Sequence, residues 1–150
     1  RHPPRGPRAL PRPLRRLDAA ARVKAIVAIL GLDSHWRGAV AVVRTLRALG
    51  AEVVYLGNQF PEAIAEAALQ EAADLVCLST LSGSHGELVP EVVRALTDRG
   101  VRARVLVGGA IPPQDVPALT AIGVADVFGP GRPLEDLAAW VSAARRAVAD

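Results

Sequence analysis

Val23-Lys24-Ala25-Ile26-Val27-Ala28-Ile29-Leu30 runs straight into Gly31-Leu32-Asp33-Ser34-His35-Trp36-Arg37-Gly38. The first eight residues are almost all apolar and rich in Val and Ile, the pattern of a strand covered on both faces. The next eight end where a helical pattern begins, so they read as a strand-to-helix turn. A strand ending in Asp-x-His-x-x-Gly offers one imidazole at the mouth of a sheet, with a carboxylate two residues earlier. That carboxylate can accept a hydrogen bond from one ring nitrogen, which fixes the tautomer and raises the basicity of the other. Asp33 and His35 are therefore a candidate metal-ligating pair, and Gly38 is expected to let the chain turn tightly into the helix. Taken alone, a histidine after a strand is more often an ordinary polar loop residue.

Downstream, short apolar runs alternate with helical patterns. Helix one is expected over residues 38–49, with Ala39, Val42, Leu46 and Leu49 on one face. Strand two is expected over 52–56, followed by the loop Gly57-Asn58-Gln59-Phe60, and Pro61 suits the first turn of helix two, residues 61–71. Strand three, 74–79, leads into the polar loop Thr80-Leu81-Ser82-Gly83-Ser84-His85-Gly86, and helix three covers 87–99. Strand four, 104–107, runs into Gly108-Gly109 and then Ala110-Ile111-Pro112-Pro113. A short helix four spans about 114–122; strand five, 125–128, gives way to Gly129-Pro130-Gly131, and helix five takes 134–148. Five β-α units in strict alternation predict a parallel sheet with helices on both faces. In the order 2-1-3-4-5 this is the α/β, flavodoxin-like solution, whose ligands bind beyond the carboxyl ends of the strands. The unusual polar and glycine-rich loops all fall on that edge.

At 150 residues, 51 % of them hydrophobic, the chain suits one domain with a real core. No apolar run approaches the ~18 residues needed to span a bilayer, and no signal peptide is visible. Cys77 is the single cysteine, which rules out an internal disulfide framework and a cysteine-rich zinc site. A cytoplasmic protein without membrane contact is the default expectation. The net charge of +3 is uneven: residues 1–20 carry six arginines against Asp18, a net +5, so the remainder is mildly acidic at −2. A basic nucleic-acid-binding face on the domain is not expected. With five prolines, residues 1–20 read as a disordered Arg/Pro-rich arm preceding a domain over 21–150. The chain opens on Arg1 rather than Met, so a fragment of something longer stays open.

Several flavodoxin-like functions fail against these loops. A phosphoacceptor domain needs an acidic cluster after strand one and an aspartate ending strand three, where this chain has Ser79-Thr80. A flavodoxin would place a Ser/Thr/Gly phosphate cradle after strand one, and a dinucleotide site would place G-x-G-x-x-G there. Residues 23–148 instead resemble the cobalamin-binding domain of the adenosylcobalamin-dependent mutases. The family's D-x-H-x-x-G is met by Asp33, His35 and Gly38, its S-x-L after strand three by Ser79 and Leu81, and its G-G after strand four by Gly108 and Gly109. Gly109-Ala110-Ile111-Pro112-Pro113-Gln114-Asp115 and Phe128-Gly129-Pro130-Gly131 look closest to the acyl-CoA mutases of the methylmalonyl-CoA and isobutyryl-CoA type.

The resemblance implies adenosylcobalamin as cofactor, with its base displaced and His35 as the lower axial ligand of cobalt. It implies that Asp33 orients His35, that Ser79 hydrogen-bonds the nucleotide tail, and that Gly108 and Gly109 permit close backbone approach. Leu81, with Ser82, Gly83 and the rest of that loop, would pack beneath the corrin. Ser34, Trp36, Arg37, Phe128, Gly129 and Gly131 would complete the cofactor-binding surface. The family often has glycine before the histidine and an acidic residue after it; here Ser34 and Trp36 stand there. For His85, a corrin contact and a plain loop-capping role are both open. Cys77 among Val76 and Leu78 reads as a packing thiol, and Trp140 as packing on helix five. The resemblance further implies a cobalamin-binding subunit or detached domain, catalytic only with a large acyl-CoA-binding mutase subunit of TIM-barrel type. The alternatives are a corrinoid carrier in methyl transfer, which usually carries a helical cap before strand one, and a non-enzymatic B12-binding or sensing module.

Overall fold

The apolar run forms β1 (Lys24–Leu30), and every residue of it after Lys24 is buried. Its alternating side chains feed two cores. Ile26, Ala28 and Leu30 pack with Ile64 of α2 (Pro61–Gln70) and with Val89 and Val92 of α3 (His85–Asp98). Val27 and Ile29 pack with Val43 and Leu46 of α1 (Arg37–Ala48) and with Leu137 and Val141 of α5 (Leu137–Ala149). Burying each large aliphatic side chain contributes about 1.5–3 kcal/mol, so this central strand anchors both layers. These statements describe residues 22–149 of a computed structural model; the arm expected over 1–20 lies outside them.

The remaining strands are β2 (Glu52–Gln59), β3 (Leu75–Thr80), β4 (Arg104–Gly109) and β5 (Val124–Phe128). All pair in parallel in the order β2-β1-β3-β4-β5, as the sequence pattern predicts. Among the described residues no helix is long and apolar enough to cross a membrane.

Several boundaries differ from expectation, chiefly at the carboxyl edge. The predicted loop Gly57-Asn58-Gln59 is strand: Leu56 is an extra residue between the pairs Val27–Tyr55 and Ala28–Gly57, and the ladder then resumes through Gln59 opposite Leu30. Gly57 makes that bulge with φ at +67°. β4 likewise continues through Gly108 and Gly109, which pair with Ser79 and Thr80. Finally, α3 begins at His85 rather than Glu87, because the Ser84 carbonyl already accepts the Glu87 and Leu88 N–H groups. The helix expected over 114–122 is a 3-10 turn, Pro113–Asp115, followed by α4 (Val116–Ala121); α5 too follows a 3-10 turn, Leu134–Asp136.

Gly109 closes the β3–β4 ladder under a hard constraint. Its φ is +131°, and a Cβ there would stand 1.8 Å from the Thr80 carbonyl oxygen. A Cβ on Gly108 would meet only ordinary contacts with Phe128, at 3.5 Å and beyond. Gly109→Ala is therefore expected to cost about 3 kcal/mol, and Gly108→Ala under about 1 kcal/mol, on combined strain and overpacking. Urea midpoints of the two variants check the contrast; equal midpoints would remove the constraint from Gly109.

Candidate functional site

β1 delivers its next residues onto the carboxyl edge of the sheet, where Asp33 is buried with its side chain fully enclosed. Its Oδ1 accepts the His35 backbone N–H at 2.8 Å and pairs with His35 Nδ1 at 2.6 Å. Oδ2 accepts the N–H groups of Leu81 at 2.6 Å and Ser82 at 2.9 Å. Burial pushes the Asp33 carboxyl up, but these donors, led by the Leu81 and His35 N–H groups, outweigh it and hold it at about 2. An ionised carboxylate only accepts, so the proton between Asp33 and the ring belongs to Nδ1. In the neutral ring Nε2 then carries the free lone pair. The His35 side chain is 57 % exposed, and among the described residues Nε2 has no hydrogen-bond partner.

Beside this turn a cavity of about 340 Å³ opens between α1 and the carboxyl ends of β1, β3, β4 and β5. Its walls are mostly apolar, including Ala39 and Val42 of α1, Leu106, Phe128 and Leu137. Cys77 also lines it; burial pushes that thiol up to about 12, which keeps it protonated and unreactive. Arg132 reaches the rim with its guanidinium 4.2 Å above the Phe128 ring. Its charge is taken up by Asp126 and Asp136, and Trp140 Nε1 donates to Asp126 as well.

Of the residues singled out from sequence, Gly38, Ser79, Leu81, Gly108, Gly109, Phe128 and Gly129 line this cavity together. Ser34, Trp36 and Arg37 are exposed beside it, with Arg37 5.7 Å from the Trp36 ring centre; Ser82, Gly83 and Gly131 are exposed on neighbouring loops. Gly38 is not needed for the turn: it sits inside α1, and a Cβ there would meet only Ser79 Oγ at 3.8 Å, facing the cavity. Nor does His85 contribute a free nitrogen to the ligand side. It is buried in the first turn of α3 with Nε2 2.8 Å from Asp115 Oδ2, and it does not line the cavity.

Two contributors escaped the sequence reading. Asn58, on the bulged end of β2, donates to the carbonyls of Gly31 and Asp33 and so braces the turn from below. Its only sequence signal was a Gly-Asn pair after a strand, which reads equally as a loop. Ala39 and Val42 of α1, expected on a helical core face, line the cavity instead, and Ala41 lines it with them.

The family model described as "B12 binding domain" matches residues 23–138. The 2-hydroxyisobutanoyl-CoA mutase small subunit of Aquincola tertiaricarbonis is 34% identical over 108 residues, covering 71% of this chain and 79% of that protein. Methylmalonyl-CoA mutase of Escherichia coli (strain K12) is 38% identical over 122 residues, 79% of this chain but 17% of that enzyme. The chain thus spans most of the small subunit and about a sixth of the full-length mutase. Among solved structures, a cobalamin-binding protein from Desulfitobacterium hafniense DCB-2 aligns with a TM-score of 0.70 at 24% identity, over 83% of this chain and 59% of that one. The receiver domain of NarL from Mycobacterium tuberculosis aligns at 0.63 and 21% identity, over 83% of this chain and 97% of that one; both likenesses concern the fold alone. With the family model running from β1 to the first residues of α5 and the Asp33–His35 turn within it, the chain belongs to the B12 binding domain family.

Proposed function

We propose that this chain binds adenosylcobalamin with the nucleotide base off cobalt and His35 Nε2 on it, as the cobalamin-binding component of a radical acyl-CoA mutase. The observation that carries the reading is the Asp33–His35 pair, which leaves one oriented, unpartnered imidazole nitrogen beside an apolar cavity. A lone imidazole suits a metal whose other ligands come with a macrocycle. Among the described residues no cluster of three or more His, Cys, Asp or Glu could cage an ion by itself.

The residues present fit the remainder of the group. Ala39, Val42 and Leu106 offer an apolar lining for a displaced aromatic base, and the Ser79 hydroxyl beside Gly38 can hydrogen-bond a nucleotide tail. Bound adenosylcobalamin supplies homolysis of its cobalt–carbon bond, which starts a 1,2-rearrangement. The chain's own task is to hold: Asp33 keeps His35 in the Nδ1–H tautomer, and the Leu81 and Ser82 N–H groups keep Asp33 in place. Likeness to a mutase small subunit over most of both chains supports a separate large mutase partner, which in this proposal binds the acyl-CoA in a TIM-type barrel. The monomethylamine corrinoid protein of Methanosarcina barkeri, 20% identical, shares the fold and lends no weight to a methyl carrier.

The central test is anaerobic loading with cob(II)alamin, wild type against His35→Ala, read by EPR. Axial nitrogen splitting from the protein imidazole is expected in wild type and absent in the variant; identical spectra would sink the assignment of His35. The cavity is tested separately by Gly38→Leu. A side chain there points past Ser79 into the cavity rather than into the packed core, so thermal stability should hold. Cobalamin affinity should fall by about tenfold or more, a loss of about 1.4 kcal/mol. Unchanged affinity by titration calorimetry would place the tail elsewhere.

Asp33 predicts an acid response. Its folded carboxyl at about 2 lies below the ordinary 3.8, so the charge stabilises the fold fully above the ordinary value and loses that effect as pH falls towards 2. The difference is worth about 2 kcal/mol. The stability gap between wild type and Asp33→Asn, from urea midpoints, should be wide at about pH 5 and narrow at about pH 2.5. A constant gap would mean that the carboxylate charge is not what the loop holds.

A further inference from the structure

His85 is buried and not part of the cavity, yet it is not plain filling. Its Nε2 lies 2.8 Å from Asp115 Oδ2, in the 3-10 turn after β4, while its Nδ1 is buried with no hydrogen-bond partner among the described residues. With Nε2–H directed at the carboxylate, Nδ1 is an enclosed acceptor without a donor, which destabilises the fold. An apolar side chain would fill the same space without that cost, so the ring is in place for its bond to Asp115.

That bond joins two segments that meet the site from opposite sides. His85 opens α3 and ends the loop whose Leu81 and Ser82 N–H groups hold Asp33. Asp115 follows the end of β4, where Gly108, Gly109 and Ala110 form a cavity wall and the Ala110 N–H reaches the Thr80 carbonyl. The short loop between Thr80 and His85 is thus pinned at both ends. Within it, the hydroxyls of Thr80, Ser82 and Ser84 make only long mutual contacts, 3.3–3.4 Å.

Resting on the reading of His35 above, we propose that His85 and Asp115 form a positioning pair. By tying the β3–α3 loop to the segment after β4, they hold the Leu81 and Ser82 amides on Asp33 and so keep His35 set for cobalt. His85 touches neither the cofactor nor the reacting atoms. The other charged group on its own helix turn, Glu87, is exposed, and the pairing is with Asp115 from the facing segment.

The experiment compares wild type, His85→Leu, His85→Gln and Asp115→Ala. Asp115 is 44 % exposed, so its variant keeps the test open if a buried substitution misfolds. Amide hydrogen exchange is measured first, on the cofactor-free protein. Exchange at Leu81 and Ser82 should quicken by about tenfold in His85→Leu and Asp115→Ala, stay unchanged at the core amides of Val76 and Val107, and recover in His85→Gln, whose amide can still donate to Asp115. Each protein is then loaded with cob(II)alamin, and the axial nitrogen splitting should weaken in the same order. Unchanged exchange at the two loop amides, or full splitting in both pair-breaking variants, overturns the proposal. If wild type itself shows no axial nitrogen, the reading of His35 fails, and the exchange comparison alone decides whether the pair holds the loop.

Discussion

A carboxylate buried at the end of a strand would be prohibitive without donors: removing an ion from water costs several kcal/mol even after relaxation. Asp33 meets that cost with four N–H groups, two on each oxygen, drawn from its own turn and from a loop some fifty residues later. The long-range pair of bonds is what fixes the register of the β3–α3 loop against the β1–α1 turn. The two segments therefore form or fail together. A single ionised group sets the tautomer of His35, the path of Leu81 and Ser82, and the entry into α1.

The cavity follows from the same arrangement. A parallel sheet covered on both faces normally closes over its centre, and interiors tolerate few voids larger than a water molecule. Here α1 brings Gly38, Ala39 and Ala41 to the sheet, while β4 ends in two glycines, so neither side fills the space. The neighbouring rows of Val43 and Leu46 pack fully, which shows that α1 is not simply poorly fitted. The small residues that line the cavity, Gly38, Ala39 and Ala41, sit in the end of the helix that lies beside His35. An apolar space of about 340 Å³ so placed is better explained by an occupant than by loose packing.

The α/β alternation, the strand order and the gathering of loops on one edge were legible because each rests on a long pattern: unbroken Val/Ile runs, helical periodicity and glycines after strands. The Asp33–His35 pairing was legible for a local reason, since two residues of spacing allow carboxylate and ring to meet. The contacts from Leu81 and Ser82 were not, because a loop's N–H groups carry no side-chain signature. Sequence leaves His85 open between a cofactor contact and a capping role: a polar residue in a glycine-rich loop looks available, and only the partner thirty residues on, Asp115, explains its burial. Gly38 and Gly109 illustrate why glycine is ambiguous on paper. The first leaves room for something else, and the second avoids a collision with the Thr80 carbonyl within the sheet itself.

The departures from the regular pattern that lie on the carboxyl edge of β1 and β2 are mechanically linked. The bulge at Leu56 and Gly57 lengthens β2 past its expected end and brings Asn58 opposite Ile29. A one-residue slip in a strand exchanges its faces, so the bulge decides where the Asn58 amide points. From there it bonds the carbonyls of Gly31 and Asp33, gripping the backbone of the residue whose side chain Leu81 and Ser82 grip from the other side. A local conflict with regular pairing is tolerated where it secures the position of one histidine. The Asp33 turn is thus held by both sheet neighbours of β1, and a displacement of either β2 or β3 would reach His35 through a single residue.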